Sequence, residues 1–426
     1  MTYENALEII HSLNKFGMKP GLDRIKKLLS LMGNPQDKLK FVHVAGTNGK
    51  GSSCAMISSV LVQAGYKTGL FISPFITDFR ERIQINGEMI SKDCLANAVE
   101  KTYPLLQKLE KEDCIITEFE YVMALEFYIH FKENCDVVVL ETGLGGLYDC
   151  TNVILPPLCS VITTIGLDHT AVLGNTLEEI ALQKCGIIKK NSPVITSNQD
   201  AKAIEIIRKT AEENNSKLIE SNSVDFENIS QSLFGTNFTY KGINMNLPLI
   251  GEHQIENAKT AMATIEVLKS SFNITDENIA TGFAKAVNPA RFEVLSKNPL
   301  IILDGAHNPN GIEALKNALN THIKGVKPIC IMGMLSDKDS KSSVKILERM
   351  FSTIFTVPVD NPRSLSADEL KAECVDYFEN VISCESPFQA FDDALALSEK
   401  QQLPIIICGS LYLAGEIRPY ILEKIK

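Results

Sequence analysis

The feature that most constrains the fold is a short apolar run that leads straight into a glycine-rich turn. The run Phe41-Val42-His43-Val44-Ala45 has the β-branched and aromatic character of a buried strand. It continues into Gly46-Thr47-Asn48-Gly49-Lys50-Gly51-Ser52 and then into residues with helical spacing. We predict a strand, a loop and a helix from Ser53 to Gln63, which ends at Gly65.

The glycine-rich turn has the chemistry of an anion site. Its three glycines let backbone N–H groups turn towards an anion, Lys50 adds a positive charge, and the hydroxyl of Ser52 or Ser53 can reach a Mg²⁺ ion at the helix N-terminus. The match to the standard phosphate loop is imperfect, because Val44 replaces its first glycine and Gly51 separates Lys50 from Ser52. The alternative is a plain glycine-rich connection. We favour a nucleotide phosphate site.

Composition excludes several classes of protein. A chain of 426 residues is long enough for two or more domains, and its net charge of −10 with scattered basic residues argues against a nucleic-acid surface. No apolar run is as long as a membrane span, and the first residues do not resemble a signal peptide. The 11 cysteines form no Cys-x-x-Cys pair, so we expect reduced thiols. These observations predict a cytoplasmic protein that binds neither nucleic acid nor membrane.

Short apolar runs recur along the whole chain and alternate with helical patterns. Such runs suit strands that are buried on both faces of a mostly parallel sheet, so the fold class is α/β. An Asn- and Ser-rich stretch from Ser221 to Leu249 is typical of a small antiparallel excursion, and a new alternation begins at Leu300. We predict an N-terminal α/β domain over residues 1–295, which contains the glycine-rich turn, and a smaller Rossmann-like α/β domain over residues 296–426. The strands expected in the first domain are Gly69 to Ile72, Val137 to Leu140, Val161 to Ile165 and Val194 to Thr196; those in the second are Ile301 to Leu303, Ile329 to Met332, Thr353 to Val357, Val381 to Ser383 and Ile405 to Cys408.

Polar residues are concentrated where these strands end, which is where ligands bind in open α/β sheets. Glu141 follows such a run, and a carboxylate beside a phosphate loop is the expected place for a Mg²⁺ ligand. A helix cap or surface acid is the alternative for Glu141. His169 by itself is more often a structural histidine, and the turn from Asp304 to Pro309 gains interest only from its position at a strand end. The Asn-Lys-x-Asp signature that reads guanine is absent, so ATP is preferred over GTP.

These motifs together resemble the folylpolyglutamate synthase and dihydrofolate synthase family, a branch of the Mur ligases. The resemblance covers nearly the whole chain in the same order. The matching motifs are Phe16-Gly17, Arg24-Ile25, His43 to Ser52, Ser73-Pro74, Glu81-Arg82-Ile83, Phe119-Glu120, Glu141 to Gly146, Asp149, Thr151-Asn152, Ile165 to His169, His253-Gln254, Asn257-Ala258, Asp304 to Pro309 and Gly409-Ser410-Leu411.

The resemblance implies ATP-dependent amide formation. A substrate carboxylate attacks the γ-phosphate of ATP to give an acyl phosphate, and the amino group of L-glutamate then displaces phosphate. The acid substrates implied are folates and dihydropteroate, and the cofactors implied are ATP and Mg²⁺. Whether a monovalent cation also binds is left open. The site would lie between the two domains of a monomer and close when both substrates are bound.

The resemblance also implies roles for individual residues. Lys50, Lys184 and His307 are expected to be catalytic, and Lys184 matches a lysine that is carbamylated in relatives. His307 and Ser410 are expected on the glutamate side of the cleft. The remaining implied contacts are Gly46, Thr47, Asn48, Gly49, Lys50, Gly51, Ser52, Asn257, Arg291 and Asp304 with ATP, and Ser73, Glu141 and His169 with Mg²⁺.

The chain departs from the family pattern at several positions, and two alternatives follow. A paralogous ligase would join an amino acid to a non-folate carboxylate. A degenerate nucleotide-binding protein would regulate without catalysing, and the intact Glu141, His169 and Asp304 argue against it. The departures are Phe75 for His, Met123 for Thr, Leu147 for Arg, Gln183 for an acid and Ala290 for Gly.

Overall fold

The computed structural model describes residues 1–16 and 21–425. The glycines and proline of the run from Phe16 to Gly21 predict a loop, and most of that loop lies outside the described residues. The described chain forms an eight-stranded sheet, a six-stranded sheet and a small three-stranded sheet. The two large sheets confirm the predicted α/β class with two mostly parallel sheets.

The first sheet places the glycine-rich turn at its centre. Its strand order is β4-β3-β2-β5-β1-β6-β7-β8, and only the β2–β3 and β3–β4 pairs are antiparallel. The strands β2 and β5 lie on one side of β1, and β6, β7 and β8 lie on the other. The carboxyl end of β1 therefore lies at a topological switch point, where open α/β sheets bind ligands. The strands are β1 Phe41–Ala45, β2 Thr68–Phe71, β3 Ile83–Ile85, β4 Glu88–Met89, β5 Val137–Glu141, β6 Cys159–Ile162, β7 Val194–Thr196 and β8 Leu218–Glu220.

Helices cover both faces of this sheet, as its fully buried strands require. One face packs against α3, α9 and α10, and the other against α1, α2, α4 and α5. These helices are α1 Tyr3–Ser12, α2 Asp23–Leu31, α3 Lys50–Gln63, α4 Lys92–Glu110, α5 Glu118–Lys132, α6 Thr170–Leu173, α7 Leu177–Cys185, α8 Ala201–Glu213, α9 Glu252–Leu268 and α10 Asp276–Lys285.

The Asn- and Ser-rich stretch forms the predicted antiparallel excursion. Its three strands pair in the order β11-β10-β9. Phe238 and Met245 of this sheet join the core that α3 and α9 share. The strands are β9 Glu227–Ser232, β10 Gly235–Tyr240 and β11 Ile243–Leu247.

The second large sheet is parallel except at one edge. Its order is β12-β13-β17-β14-β15-β16, and β12 runs antiparallel to β13. The elements are β12 Glu293–Lys297, β13 Leu300–Leu303, α11 Pro309–His322, β14 Ile329–Met332, α12 Ser340–Ile346, β15 Thr353–Thr356, α13 Ala367–Cys374, β16 Val381–Ser383, α14 Pro387–Gln401, β17 Ile405–Cys408 and α15 Leu411–Lys424.

The segment that joins the two sheets has an unusual backbone. Ala290 and Phe292 both have positive φ, at 55° and 47°, a region that bulky residues rarely occupy. Hydrogen bonds hold the conformation: the backbone N–H of Phe292 donates to Asp304 Oδ2 at 2.7 Å, and that of Ala290 donates to Glu293 Oε2 at 3.0 Å. The predicted boundary after residue 295 falls inside β12, which belongs to the second sheet.

Several sequence-based expectations differ from the structure. The helix after the glycine-rich turn starts at Lys50 and not at Ser53, because Gly49 takes a φ of 86° and lets the chain turn into the helix at once. The strand expected to end at Ile165 ends at Ile162. The last helix, α15, and the edge strand β12 were not predicted. No helix in the described ranges is both long and apolar enough to cross a membrane.

Candidate active site

The glycine-rich turn is held in place by contacts with the chain that follows β6. The backbone N–H groups of Thr47 and Asn48 donate to the carbonyl of Thr164 at 2.9 and 3.2 Å. The Lys50 ammonium lies back on the turn and donates to the carbonyls of Gly46 and Thr47 at 3.2 and 3.3 Å. The turn and the N-terminus of α3 thus offer backbone N–H groups and one ammonium, which is the donor set of a phosphate site.

Gly49 stands against a residue predicted to contact nucleotide. A Cβ at this position would collide with Asn257 Oδ1, and the amide of Asn257 is itself fixed by a 3.0 Å hydrogen bond to Gln254 Oε1. On the other side of the turn, Asn288 Nδ2 donates to Ser52 Oγ at 3.0 Å. Asn257 and Asn288 come from distant segments, and both lie against the phosphate loop.

We expect Gly49→Ala to lower the free energy of unfolding by about 2–3 kcal/mol, because it adds a collision to an unfavourable φ. Urea denaturation measures this loss. Gly65 is the matched control, since it has the same φ of 86° and nothing within 4 Å of an added Cβ. Gly65→Ala should cost only about 1 kcal/mol. Equal losses for the two variants would contradict the role of the Asn257 contact.

Glu141 ends β5 beside the turn and is buried. Its Oε2 accepts the backbone N–H of Ser73 at 3.3 Å, and its Oε1 lies 3.8 Å from Lys50 Nζ. Burial raises the pKa of Glu141, while the charge of Lys50 opposes that rise. The structure therefore joins Ser73, Glu141 and Lys50 in one contact chain, as the predicted magnesium and phosphate roles require.

No cluster of three or more His, Cys, Asp or Glu side chains that could hold a metal ion exists among the described residues. A Mg²⁺ ion bound with a nucleotide needs few protein ligands, because phosphate oxygens and waters complete its octahedron. The carboxylate of Glu141 and the hydroxyl of Ser73 are hard oxygen donors of the kind that Mg²⁺ prefers. The residues present fit such an ion.

Lys184 is a buried lysine in α7 that reaches the same turn. Its Nζ donates to the carbonyl of Gly46 at 2.8 Å, so one carbonyl oxygen accepts from both Lys184 and Lys50. Burial, reinforced by the charge of Lys50, lowers the pKa of Lys184 to about 7. A neutral amine is therefore accessible at physiological pH.

Asp168 and His169 follow β6 and meet the second sheet. Lys338, from the loop after β14, forms a 2.7 Å ion pair with Asp168 and lies 3.5 Å from His169 Nε2. Burial raises the pKa of Asp168, but the ion pair outweighs it and holds that pKa well below its usual range. Partial burial, with the charge of Lys338, lowers the pKa of His169. The neutral imidazole keeps a lone pair available for a metal.

Asn308 is a second bridge across the cleft. Its Nδ2 donates to Asn48 Oδ1 at 3.3 Å and to Asp168 Oδ2 at 3.1 Å, while its Oδ1 caps α11 by accepting the N–H of Gly311. One amide of the second sheet thus touches both the phosphate loop and the loop after β6.

Asp304 and His307 lie at the carboxyl end of β13. Asp304 is buried, which raises its pKa, and the charge of Arg291 opposes that rise. His307 Nδ1 lies 2.8 Å from the carbonyl of Gly305, so Nδ1 carries the proton and Nε2 is free to accept. Burial, together with the charge of Lys338, lowers the pKa of His307 to about 4. Ser410 caps α15 through a 3.1 Å bond from the N–H of Tyr412.

The structure thus brings the sequence-predicted residues to one cleft from the carboxyl ends of both large sheets. Sequence reasoning assigned no role to Lys338, Asn308, Asp168 and Asn288. Lys338 lies in the polar run that follows the predicted strand Ile329 to Met332, so the rule that singled out Asp304 could have found it. Asn308 lies inside a motif already noted. Nothing in the sequence indicated which residue it would contact.

Two sequence profiles match the chain. The Mur ligase middle domain matches residues 44–265, which is more than half of the chain, and the Mur ligase glutamate ligase domain matches residues 290–411. This chain belongs to the Mur ligase family. The first profile contains the site residues from Gly46 to Asn257, and the second contains those from Arg291 to Ser410. Asn288 lies between the two matched ranges.

Similar proteins cover this Mur ligase from end to end. A dihydrofolate synthase/folylpolyglutamate synthase of Bacillus subtilis is 36% identical over 98% of both chains. A folylpolyglutamate synthase of Lacticaseibacillus casei is 37% identical over 99% of both chains. A folylpolyglutamate synthase of Mycobacterium tuberculosis, solved with ADP and AMPPCP, aligns with a TM-score of 0.91 and 28% identity, covering 98% of this chain and 99% of the other. The predicted resemblance is confirmed.

Proposed function

We propose that this Mur ligase is an ATP-dependent amide ligase that adds L-glutamate to folates and also converts dihydropteroate to dihydrofolate. The observation that carries the proposal is the contact chain Ser73–Glu141–Lys50 on the phosphate loop, which faces Asn308 and Lys338 of the second sheet. The names of the full-length relatives support the choice of substrates.

The reaction needs two steps because a free carboxylate is a poor electrophile. A carboxylate oxygen of the acid attacks the γ-phosphorus of ATP, the bond to the bridging oxygen breaks, and ADP leaves. The amino group of L-glutamate then attacks the carbonyl carbon of the acyl phosphate, phosphate leaves, and the nitrogen loses a proton. A cleft between two sheets holds three substrates in line and excludes water from the acyl phosphate.

The loop from Gly46 to Ser52, with Asn257, Arg291 and Asp304, is proposed to bind ATP. Lys50 would turn from the carbonyls it now contacts towards the β- and γ-phosphates, and its charge would stabilise the phosphoryl group during transfer. Ser73, Glu141 and His169 would hold Mg²⁺. When bound, that ion neutralises phosphate charge and polarises the γ-phosphorus.

His307 and Ser410 are proposed for the amine side of the reaction. His307 is neutral at pH 7 because its pKa is about 4, and its Nδ1 proton is committed to the carbonyl of Gly305. Nε2 can therefore accept a hydrogen bond from the attacking amino group and orient its lone pair. Ser410 stands at the N-terminus of α15, where a helix favours a carboxylate.

Lys184 is proposed to react with carbon dioxide, as its counterpart does in the family that it resembles. Its neutral nitrogen attacks the carbon, an N–C bond forms, and a proton leaves to give a carbamate. Because the pKa of Lys184 is about 7, we expect kcat to rise with pH through about 7 and to rise further with added bicarbonate. A new carbamate signal in ¹³C NMR with labelled bicarbonate checks the modification.

Lys184→Arg is the control for this prediction, because guanidinium does not react with carbon dioxide at these pH values. The variant should lack both the NMR signal and the dependence of kcat on bicarbonate. If the same signal persists in Lys184→Arg, the carbamate lies elsewhere. A wild-type protein with no signal at pH 8 would contradict the prediction.

Phosphate release by the purified protein tests the function. The assay contains ATP, Mg²⁺ and L-glutamate, with dihydropteroate, tetrahydrofolate or no acceptor, and product masses are measured. Release with both acids, and products heavier by one glutamyl residue, is the expected result. Phosphate release with only one of the two acids shows which of the two activities the protein has. Release with neither acid would reject the proposal.

A ligase for a non-folate acid is the alternative, and two substituted positions bear on it. Leu147 is 37% exposed, and Phe75 packs beside Arg82 and Phe79. Both can therefore influence a bound acid. Met123 and Ala290 are fully buried in cores, so neither contacts a substrate directly. Phosphate release with another acid, and with no folate, would favour this alternative.

Four further expectations belong to this proposal. The 11 cysteines are all free thiols, which agrees with a cytoplasmic location because disulfides are rare there. A monomer, a division of the chain after residue 295 and the involvement of a monovalent cation stay predictions. Gel filtration with light scattering would measure the mass in solution.

A further inference from the structure

Arg82 differs from most other arginines of the chain because no carboxylate of the described residues lies within 4.0 Å of its guanidinium. Among the described residues, six of the eight arginines lie within 4.0 Å of a carboxylate, and only Arg82 and Arg291 do not. Both of these charges act on Glu141. The six pairs are Arg24–Glu120, Arg80–Asp78, Arg208–Glu220, Arg349–Glu348, Arg363–Asp337 and Arg418–Glu293.

Two aromatic rings and one hydroxyl hold the Arg82 guanidinium. Its central carbon lies 5.2 Å from the ring centre of Phe75 and 5.8 Å from that of Phe79. These two rings are themselves packed edge to face at 5.9 Å. Nη1 donates to Ser73 Oγ at 2.9 Å. The side chain is therefore fixed in one orientation before any ligand arrives.

The remaining donors of the guanidinium have no acceptors in the described part of the chain. Nε is fully buried and makes no hydrogen bond there. Nη2 makes no hydrogen bond within the described chain either, although it is not fully buried. Burial lowers the pKa of Arg82, but a guanidinium stays charged in proteins. A partly buried guanidinium with so few hydrogen-bond acceptors is costly, and an anionic ligand would offset the cost.

The position of Arg82 connects this unused charge to the reacting groups. Ser73, which accepts from Arg82, also donates its backbone N–H to Glu141, and Glu141 lies beside Lys50. An anion at Arg82 would therefore lie next to the phosphate loop. Glu118, Tyr412 and Glu141 act electrostatically on Arg82 from beyond ion-pair distance. The helix α15 packs against the segment that precedes Arg82, because a Cβ at Gly415 would collide with the carbonyl of Ile76, so the second sheet bounds the same space.

We propose that Arg82 binds the carboxylate of the acid substrate and holds it beside the phosphate loop, which makes Arg82 a specificity-determining residue of the reaction. The inference rests on the proposed function. A guanidinium suits this task because its planar fork matches a carboxylate, and because its charge reduces the repulsion between that carboxylate and the γ-phosphate. The alternative ligand of Arg82 with the same chemistry is a carboxylate of L-glutamate.

Steady-state kinetics of Arg82→Gln and Arg82→Lys test the inference. With each substrate varied in turn, Arg82→Gln should raise the KM for dihydropteroate and for tetrahydrofolate about 30-fold, since a charged hydrogen bond is lost. The KM values for ATP and L-glutamate should stay within about threefold of wild type. Lysine should restore little of the loss, because it presents a point charge without the fork.

Arg80→Gln is the matched control. Arg80 lies in the same helical turn, and its ion pair is with Asp78 at 2.8 Å, outside the cleft. Its loss should leave every KM near wild type. Thermal unfolding of all variants shows whether they are folded. A third variant, Arg82→Ala, leaves space at this position, and guanidinium added to the solution should partly restore its activity.

The outcomes separate this inference from the function on which it rests. An active wild type whose KM for the acid is unchanged in Arg82→Gln would overturn the inference alone. A rise in the KM for L-glutamate without one for the acid would also overturn it, since the carboxylate bound would then belong to the amine substrate. A wild type that releases no phosphate with either acid would reject the proposed function and this inference together.

Discussion

Glu141→Gln is expected to lower kcat about a thousandfold, because it removes the buried carboxylate that faces Lys50 and the backbone of Ser73. The amide keeps the size of the side chain and can still accept from the N–H of Ser73, so the fold should be retained. The measurement is phosphate release under saturating ATP and acid, at several Mg²⁺ concentrations. The apparent affinity for Mg²⁺ should fall as well.

Glu126→Gln is the matched control for this prediction. Glu126 is equally buried, and burial also raises its pKa, but its partner is His130 at 2.9 Å in α5, away from the cleft. The control should turn over within about twofold of wild type, since nothing it touches contacts substrate. A Glu141→Gln protein with full turnover would contradict the proposed role of the carboxylate.

Lys50→Met is expected to reduce kcat/KM for ATP by about a hundred- to a thousandfold. The ammonium is the only charged donor that the phosphate loop itself contributes, and its loss removes stabilisation of the phosphoryl group in the transition state. Single-turnover phosphate release separates a slower chemical step from weaker ATP binding. Both should be affected.

Lys67→Met controls for the loss of a lysine elsewhere on the same sheet. Lys67 directly precedes β2, at the end of the sheet where the parallel strands begin and away from the phosphate loop. Its ammonium pairs with Glu133 at 3.0 Å. An exposed ion pair contributes little to stability, so this variant should be as active and nearly as stable as wild type. If Lys50→Met and Lys67→Met behaved alike, the loop would not be the phosphate site.

Much of the fold follows from local patterns in the chain. Runs such as Val137 to Leu140 and Ile405 to Cys408 are strands because β-branched and other apolar residues fill both of their faces. The strand expected to end at Ile165 was too long for a tertiary reason. Thr163 still bonds to Ala45 at the end of β1, but the carbonyl of Thr164 accepts the backbone N–H groups of Thr47 and Asn48 of the phosphate loop.

The helix α15 shows a second limit of local patterns. Gly415 and Pro419 lie inside it, and both residue types disfavour a helix interior. Glycine is needed there because a Cβ would collide with the carbonyl of Ile76. The contact that requires glycine at position 415 thus involves a residue of the other domain, so no local pattern in the sequence can reveal it.

The candidate site was predictable in its strand-end residues and not in its contacts across the cleft. Glu141, Asp304 and Ser410 each follow an apolar run, and that placement is visible in the sequence. The ion pair of Lys338 with Asp168 joins residues 170 positions apart. That Arg82 has no carboxylate partner among the described residues becomes clear only when the surroundings of every arginine are known. Long-range pairing and its absence both require the tertiary structure.

The site is divided between the two sheets, and this has a consequence for how such enzymes change over evolutionary time. Ser73 and Arg82 come from the first sheet, on the side proposed for the acid, while His307 and Ser410 come from loops of the second, on the side proposed for the amine. Mutations that alter the choice of one substrate can therefore accumulate in one half of the gene while selection maintains the other. Recombination within the short joining segment from Asn288 to Phe292 would exchange one preference as a unit.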